Sequence, residues 1–325
     1  MATMTLAKAL NTALRDEMAA DRKVVVMGED VGKLGGVFRI TDGLYKDFGE
    51  DRVIDTPLAE SGIVGTALGL AMRGYRPVVE IQFDGFVFPA FDQIISQVAK
   101  MGFRSGGAWT IPLVIRIPFG GGIGAVEHHS ESPESFFCHI AGLRVVACSS
   151  PSDGYHMLRQ AIATDDPVVF FEPKRRYWEK GDVETSIHQG DYFSSRVRRE
   201  GTDCTVVSYG PSVSIALAAA DAAAAEGRSL EVIDLRGLSP IDLGPVLESV
   251  RRTGHLVVVS EAPRESSITS DIAARVTEEA FYSLAAPVLR VAGLDVPYPP
   301  SRLEEDFLPN LDRVLDAVDR SLEYR

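Results

Sequence analysis

The feature that most constrains the fold is a rhythm. Short apolar runs, each ended by glycine, proline or a polar turn residue, alternate with longer segments of helical period. Val24-Val25-Val26-Met27 stops at Gly28, and Val53-Ile54 stops at Asp55-Thr56-Pro57. Pro77–Phe83, Leu113–Ile117, Leu143–Cys148 and Val168–Phe171 are further runs of this kind. Runs of roughly four to eight apolar residues between turn signals read as strands buried on both faces. Between them lie helical stretches. Leu6, Leu10, Leu14 and Met18 recur every four residues, and the segment from Ser61 (SGIVGTALGLAMRG) is small enough for close backbone approach. Phe91–Arg104 turns Ile94, Ile95 and Val98 inward, and Tyr155–Ala163 separates the last two strands. Strands alternating with helices predict an α/β fold on a mostly parallel sheet, flanked by helices on both faces.

The rhythm breaks once. Pro173 to Gly201 holds Lys174, Arg175, Arg176, Glu179, Lys180, Asp182, Glu184, Arg196, Arg198, Arg199 and Glu200, with no sustained apolar period, and reads as a linker or surface excursion. It then restarts with strands Thr205–Val207, Leu230–Leu235, Leu256–Ser260 and Val288–Val291 and helices Ser212–Ala225, Leu243–Arg251 and Ile268–Phe281. Two α/β domains are expected, over 1–185 and 201–325, joined by a linker over 186–200. A length of 325 residues agrees, at roughly 150 residues per domain. The 45% apolar content supplies a core to each. A net charge of −13 disfavours nucleic acid as a partner. Cys138, Cys148 and Cys204 form no CxxC pair, so no disulfide framework or structural zinc is expected, and a cytoplasmic location fits. No apolar stretch follows a basic start as in a signal peptide, and no run approaches the ~20 residues of a membrane helix.

Three places invite chemistry. Gly120-Gly121-Gly122-Ile123-Gly124 follows a strand, and its N–H groups could close on an anion. No GK[ST] follows and the spacing is not GxGxxG, so the loop is read as one that places its neighbours. Those are Glu127-His128-His129-Ser130-Glu131-Ser132-Pro133-Glu134. Loops at strand ends are where open α/β sheets put their chemistry. A polar loop capping the next helix explains the same residues, and adjacent histidines without HExxH spacing make a poor metal site. Glu60, at the first turn of a helix, reads as a site carboxylate or as one stabilised by the helix dipole. Glu29-Asp30 after the first strand invites the same two readings.

Taken together these segments resemble one family. In order come Gly28-Glu29-Asp30-Val31 with Gly35-Gly36-Val37-Phe38, Asp55-Thr56-Pro57-Leu58-Ala59-Glu60, Glu80-Ile81-Gln82-Phe83 with Phe88-Pro89-Ala90-Phe91-Asp92-Gln93, and His129-Ser130-Glu131-Ser132-Pro133-Glu134. Glu231-Val232-Ile233-Asp234-Leu235-Arg236 and Glu261-Ala262-Pro263 follow. The pattern is similar to the β subunit of the thiamine-diphosphate-dependent decarboxylating component of 2-oxo acid dehydrogenase complexes. The IQF…FPAFDQ and HSxSPE forms look more like the branched-chain 2-oxo acid type than the pyruvate type.

The resemblance implies a transketolase-like pyrimidine-binding domain followed by a transketolase C-terminal-like domain. It implies that Glu60 hydrogen-bonds N1′ of the aminopyrimidine, that Phe86 packs on the pyrimidine where tyrosine is common, and that Glu29, Leu58 and Gln82 surround the cofactor. His129 matches the histidine that assists acyl transfer to lipoamide, with Glu131 where glutamine is usual. A structural potassium ion would lie on main-chain carbonyls at Ile111, Leu113, Val114, Ala161, Thr164 and Asp166. Relatives with this cofactor hold its diphosphate and Mg²⁺ through a GDG motif and a later asparagine. Ser152-Asp153-Gly154 has no such sequel, so the diphosphate and magnesium are expected on an α subunit in an α2β2 heterotetramer. The remaining partner would be a lipoyl-bearing acyltransferase core. The rival readings are a pyruvate or acetoin dehydrogenase β subunit, and a non-catalytic interaction subunit.

Overall fold

The computed structural model describes residues 1–186 and 190–324; residues 187–189 of the expected linker, and Arg325, lie outside the described residues. The chain divides into two compact units, one of residues 1–119 and 136–192, the other of residues 120–135 and 193–325.

In the first unit the expected apolar runs become parallel strands. From one side of the sheet they lie in the order Arg144–Ala147, Val168–Pro173, Val114–Phe119, Arg76–Glu80, Val24–Gly28 and Val53–Asp55. Their valines and isoleucines are buried almost without exception, as a sheet covered on both faces requires. Helix Leu6–Ala20 starts on a side-chain cap, the Thr5 hydroxyl accepting from Lys8 N–H at 3.2 Å. It packs on helix Pro151–Ala163, where a Cβ at Gly154 would meet Leu6 Cδ1 at 2.4 Å. Arg116, buried at the middle of the sheet, donates to Glu80 at 2.7 Å and to both oxygens of Glu172 at 2.7 and 2.9 Å. Tyr177 O–H donates to the same Glu172 at 2.7 Å.

The second unit has strands in the order Leu289–Gly293, Leu256–Pro263, Cys204–Ser208, Leu230–Asp234 and Arg196–Arg199, parallel except for the last. Its core joins Val206, Val232, Val257 and Val291 to the alanine face of helix Val213–Ala225 and to Val314 and Val318 of helix Leu311–Leu322. Among the described residues no helix is long and apolar enough to cross a membrane.

Four local features depart from the rhythm. The charged stretch after Pro173 is partly ordered in strands: Lys180–Val183 pairs antiparallel with Ala2–Thr5, and Arg196–Arg199 with Leu230–Asp234. The strand expected over Pro77–Phe83 ends at Glu80. The expected helix Phe91–Arg104 is π-helical over Gln93–Val98 before becoming α-helical over Ala99–Arg104. Helices Glu304–Phe307 and Leu311–Leu322 follow the last strand.

Candidate active site

In the first unit three neighbouring strands end level, with Gly28 opposite both Asp55 and Glu80. Glu29 follows the first of these strand ends, Leu58 and Glu60 the second, Gln82 and Phe86 the third. The carboxyl ends of parallel strands are where such sheets bind ligands. The loops are tied to one another there: Thr56 N–H donates to Gly28 O at 2.9 Å and Gly32 N–H to Asp55 Oδ1 at 2.6 Å. Glu60 is the first residue of helix Glu60–Met72. Ala59 before it has no side chain with which to cap the helix, so the Glu60 carboxylate sits in the positive field of the free N–H groups.

Glu60 is 7% exposed and Glu29 8%. Burial, and then the charges of Glu60 and Asp30, push the Glu29 carboxyl above its ordinary range. Among the described residues, the buried Glu29 Oε1 and Thr56 Oγ1 have no hydrogen-bond partner. An unsatisfied buried polar atom costs about 1–3 kcal/mol. Gln82 Nε2 donates weakly to the Glu29 carbonyl at 3.4 Å and to Asp30 Oδ2 at 3.3 Å. Phe86 lies on the short turn Asp84–Ala90, edge-on to Phe83 with ring centroids 5.8 Å apart. That turn is anchored by a buried ion pair between Asp84 and Lys174. Leu58, by contrast, is 78% exposed.

His129 belongs to the second unit, on a loop whose construction the sequence did not reveal. The glycine run does cradle an anion, and the anion is the protein's own. Gly121 N–H donates to Glu261 Oε2 at 3.1 Å, Gly122 N–H to Glu304 Oε1 at 2.8 Å, and Gly124 N–H to Glu304 Oε2 at 3.0 Å. Tyr298 O–H donates to Glu304 Oε1 at 2.5 Å. Gly120, Gly122 and Gly124 hold positive φ of +82°, +87° and +71°, which glycine adopts most readily. A Cβ on Gly121 would lie 1.9 Å from the Tyr298 oxygen. Further on, the one-turn helix Glu127–His129 brings the two histidine rings edge to face at 4.4 Å. Gly120 N–H closes the loop on Glu131 O at 2.9 Å, and Tyr209 O–H donates to Glu134 at 2.5 Å. The glycine run hinted at an anion, but nothing local pointed to Glu261, Tyr298 or Glu304.

The six positions read for potassium lie side by side in the first unit. Ile111, Leu113 and Val114 lead into or begin strand Val114–Phe119; Ala161, Thr164 and Asp166 surround the C-terminal end of helix Pro151–Ala163. Ile111 N–H donates to Asp165 O at 3.1 Å, and Leu113 O accepts from Val168 N–H at 2.9 Å. A cation already stands there. Arg76 donates to the carbonyls of Ile162 at 3.0 Å and Thr164 at 2.9 Å, and to Asp165 Oδ1 at 2.6 Å. Among the described residues no group of three or more His, Cys, Asp or Glu side chains could hold a metal.

Residues 2–179 match the transketolase pyrimidine-binding domain and residues 194–314 the transketolase C-terminal domain. The chain is 62% identical to the pyruvate dehydrogenase E1 component subunit beta of Leifsonia xyli subsp. xyli, over 99% of this chain and 96% of the relative. It is 54% identical to the 3-methyl-2-oxobutanoate dehydrogenase subunit beta of Mycobacterium tuberculosis, over 98% and 92%. With the pyruvate dehydrogenase E1 component subunit beta of Bacillus subtilis it shares 47% identity over 100% of both. A solved structure described as a split gene transketolase, inactive beta4 tetramer, matches with a TM-score of 0.81 over 98% of both chains. At 23% identity that likeness shows the fold alone.

Proposed function

The chain belongs to the transketolase-related β subunits of the 2-oxo acid dehydrogenases, and from that membership we propose that it supplies the pyrimidine side of a thiamine diphosphate site completed by an α subunit. The observation that carries this reading is the level ending of three strands, followed by buried Glu29 and Glu60, with a Glu29 carboxylate oxygen unsatisfied. When bound, the cofactor supplies the nucleophilic carbon and the electron sink for decarboxylation. The chain's residues hold it and manage protons. Glu60 receives a hydrogen bond at the pyrimidine's N1′ and favours its imino form there. Glu29 Oε1 and Gln82 offer polar contacts at the same edge. The ring of Phe86 takes one face, without the hydroxyl of a tyrosine, and Leu58 is covered on assembly.

Magnesium and the diphosphate are assigned to α in an α2β2 heterotetramer. His129 moves a proton during acyl transfer to the lipoyl group of an acyltransferase core. The carbonyls at Ile111, Leu113, Val114, Ala161, Thr164 and Asp166 are the right kind of donor for a structural potassium ion, which would share Thr164 O with Arg76. The working division is 1–185 for the pyrimidine side and 201–325 for the C-terminal domain, with 186–200 between them. The compartment proposed is the cytoplasm.

For the substrate we propose a branched-chain 2-oxo acid, on the strength of the IQF…FPAFDQ and HSxSPE forms and the M. tuberculosis relative. Pyruvate is the second reading, favoured by the name of the 62% identical relative. Co-expression with the α subunit and comparison of kcat/KM for 3-methyl-2-oxobutanoate and pyruvate decides between them. A higher value for pyruvate would overturn the branched-chain assignment.

A further inference from the structure

We propose that Glu304, backed by Tyr298, is the positioning residue of the loop that bears His129, and so sets the rate of acyl transfer without touching substrate or cofactor. This rests on the proposed role of His129 and adds to it the device that holds that residue in place. The loop over 120–135 needs one. Four of its first five residues are glycine, the residue that loses most conformational freedom on ordering. Its single histidine-bearing turn, Glu127–His129, spans three residues and cannot hold itself.

What holds the loop is a carboxylate with both oxygens in use. Glu304 Oε1 accepts from Gly122 N–H at 2.8 Å and from Tyr298 O–H at 2.5 Å, and Oε2 accepts from Gly124 N–H at 3.0 Å. Glu304 and Tyr298 are each 8% exposed. Charge-assisted bonds from two backbone donors in a water-poor setting are the strong kind. The glycines fit the grip: without a side chain Gly121 can pass the tyrosine ring, and Gly122 and Gly124 hold positive φ at little cost. Glu261, accepting from Gly121 N–H at 3.1 Å, fixes the loop's entry. Gly120 N–H on Glu131 O fixes its exit at 2.9 Å. His128 and His129 therefore lie between a point gripped by Glu304 and a point tied to Gly120.

A glutamine at 304 would keep one acceptor oxygen and turn an NH₂ toward one of the two backbone donors. Aspartate would keep the charge and both acceptors, one methylene short. Tyr298→Phe would remove the bond that the hydroxyl donates to Glu304 and the longer one, 3.3 Å, that it accepts from Gly122 N–H. Displacing a group that acts in catalysis by about 1 Å can cost on the order of 10²-fold.

The test uses the assembled α2β2 enzyme with Glu304→Gln, Glu304→Asp, Tyr298→Phe and His129→Ala. Two rates are read for each variant: decarboxylation with an artificial electron acceptor, and acylation of a free lipoyl domain. Amide hydrogen exchange of the peptide over 120–131 is followed in parallel. For Glu304→Gln we expect acylation kcat to fall about 10–10²-fold. KM for the lipoyl domain should stay within about twofold, decarboxylation should fall far less, and exchange over 120–131 should quicken. Glu304→Asp should recover part of the rate, and Tyr298→Phe should fall between Glu304→Gln and wild type. Wild-type acylation in Glu304→Gln, beside a collapsed His129→Ala, would overturn the positioning role and leave His129 in place. Equal loss of both rates in Glu304→Gln would also overturn it, as the mark of a general structural defect. Normal acylation by His129→Ala would remove the role of His129 and this proposal together.

Discussion

Glu60 and Glu29, the two carboxylates of the proposed site, are open to different tests. Glu60, at a helix start, has a simple alternative explanation in the helix dipole. Glutamine there would be nearly isosteric but could not favour the imino form of the pyrimidine. Glu60→Gln is expected to leave the α2β2 assembly folded and to cut decarboxylation by about 10²–10⁴-fold; a variant retaining most of its rate would return Glu60 to the dipole. Glu29 binds its proton more tightly in the folded chain than in the unfolded one, chiefly through burial and then through Glu60 and Asp30. Its contribution to stability is therefore fully present below the ordinary carboxylate range and is lost as pH rises through the raised value. Glu29→Gln removes the charge that is penalised. In the cofactor-free subunit it should be more stable than wild type near neutral pH, and the difference should vanish in acid; denaturant melts across pH would show the opposite trend if Glu29 were favourably paired. Both residues are proposed for the site on motif order, since spacing alone leaves them ambiguous. Glu304 was not visible, because its partners Gly122 and Gly124 are about 180 positions away.

Among the elements, those with apolar cores were legible and those with charged ones were not. Val24–Gly28, Val114–Phe119 and Leu256–Pro263 announce themselves because both faces are buried. Lys180–Val183 and Arg196–Arg199 carry the charges of a surface segment, and their strand character comes from partners distant in sequence, at Ala2–Thr5 and Leu230–Asp234. The π-helical turn at Gln93–Val98 has no signature in a pattern of apolar residues. One polar feature of the sheet has a measurable weight. Arg116 ties Glu80 and Glu172 on the strands to either side of its own. Removing one partner of a buried ion network strands the others, at a cost of about 3–5 kcal/mol. Arg116→Met should lower the unfolding free energy by about that amount in urea denaturation of the subunit. A loss under about 1 kcal/mol would mean that the two glutamates are neutralised by protonation or reached by water.

For the molecule as a whole, the two-domain α/β plan follows from the repeated rhythm and the single charged interruption. The proposal that the site is incomplete rests on what Ser152-Asp153-Gly154 lacks. The acyl specificity was not, since on the proposed reading an α subunit lines much of the pocket. The chain is proposed as one side of a site: it would offer Glu29, Glu60, Gln82 and Phe86 to a pyrimidine, with an α subunit assigned to the diphosphate. Calorimetric titration of thiamine diphosphate with magnesium, into the purified β subunit and into the co-expressed α2β2 enzyme, tests this most directly. Saturable binding is expected for the α2β2 enzyme and weak or undetectable binding for β alone; binding by β alone as tight as by the full assembly would show that β holds the whole cofactor.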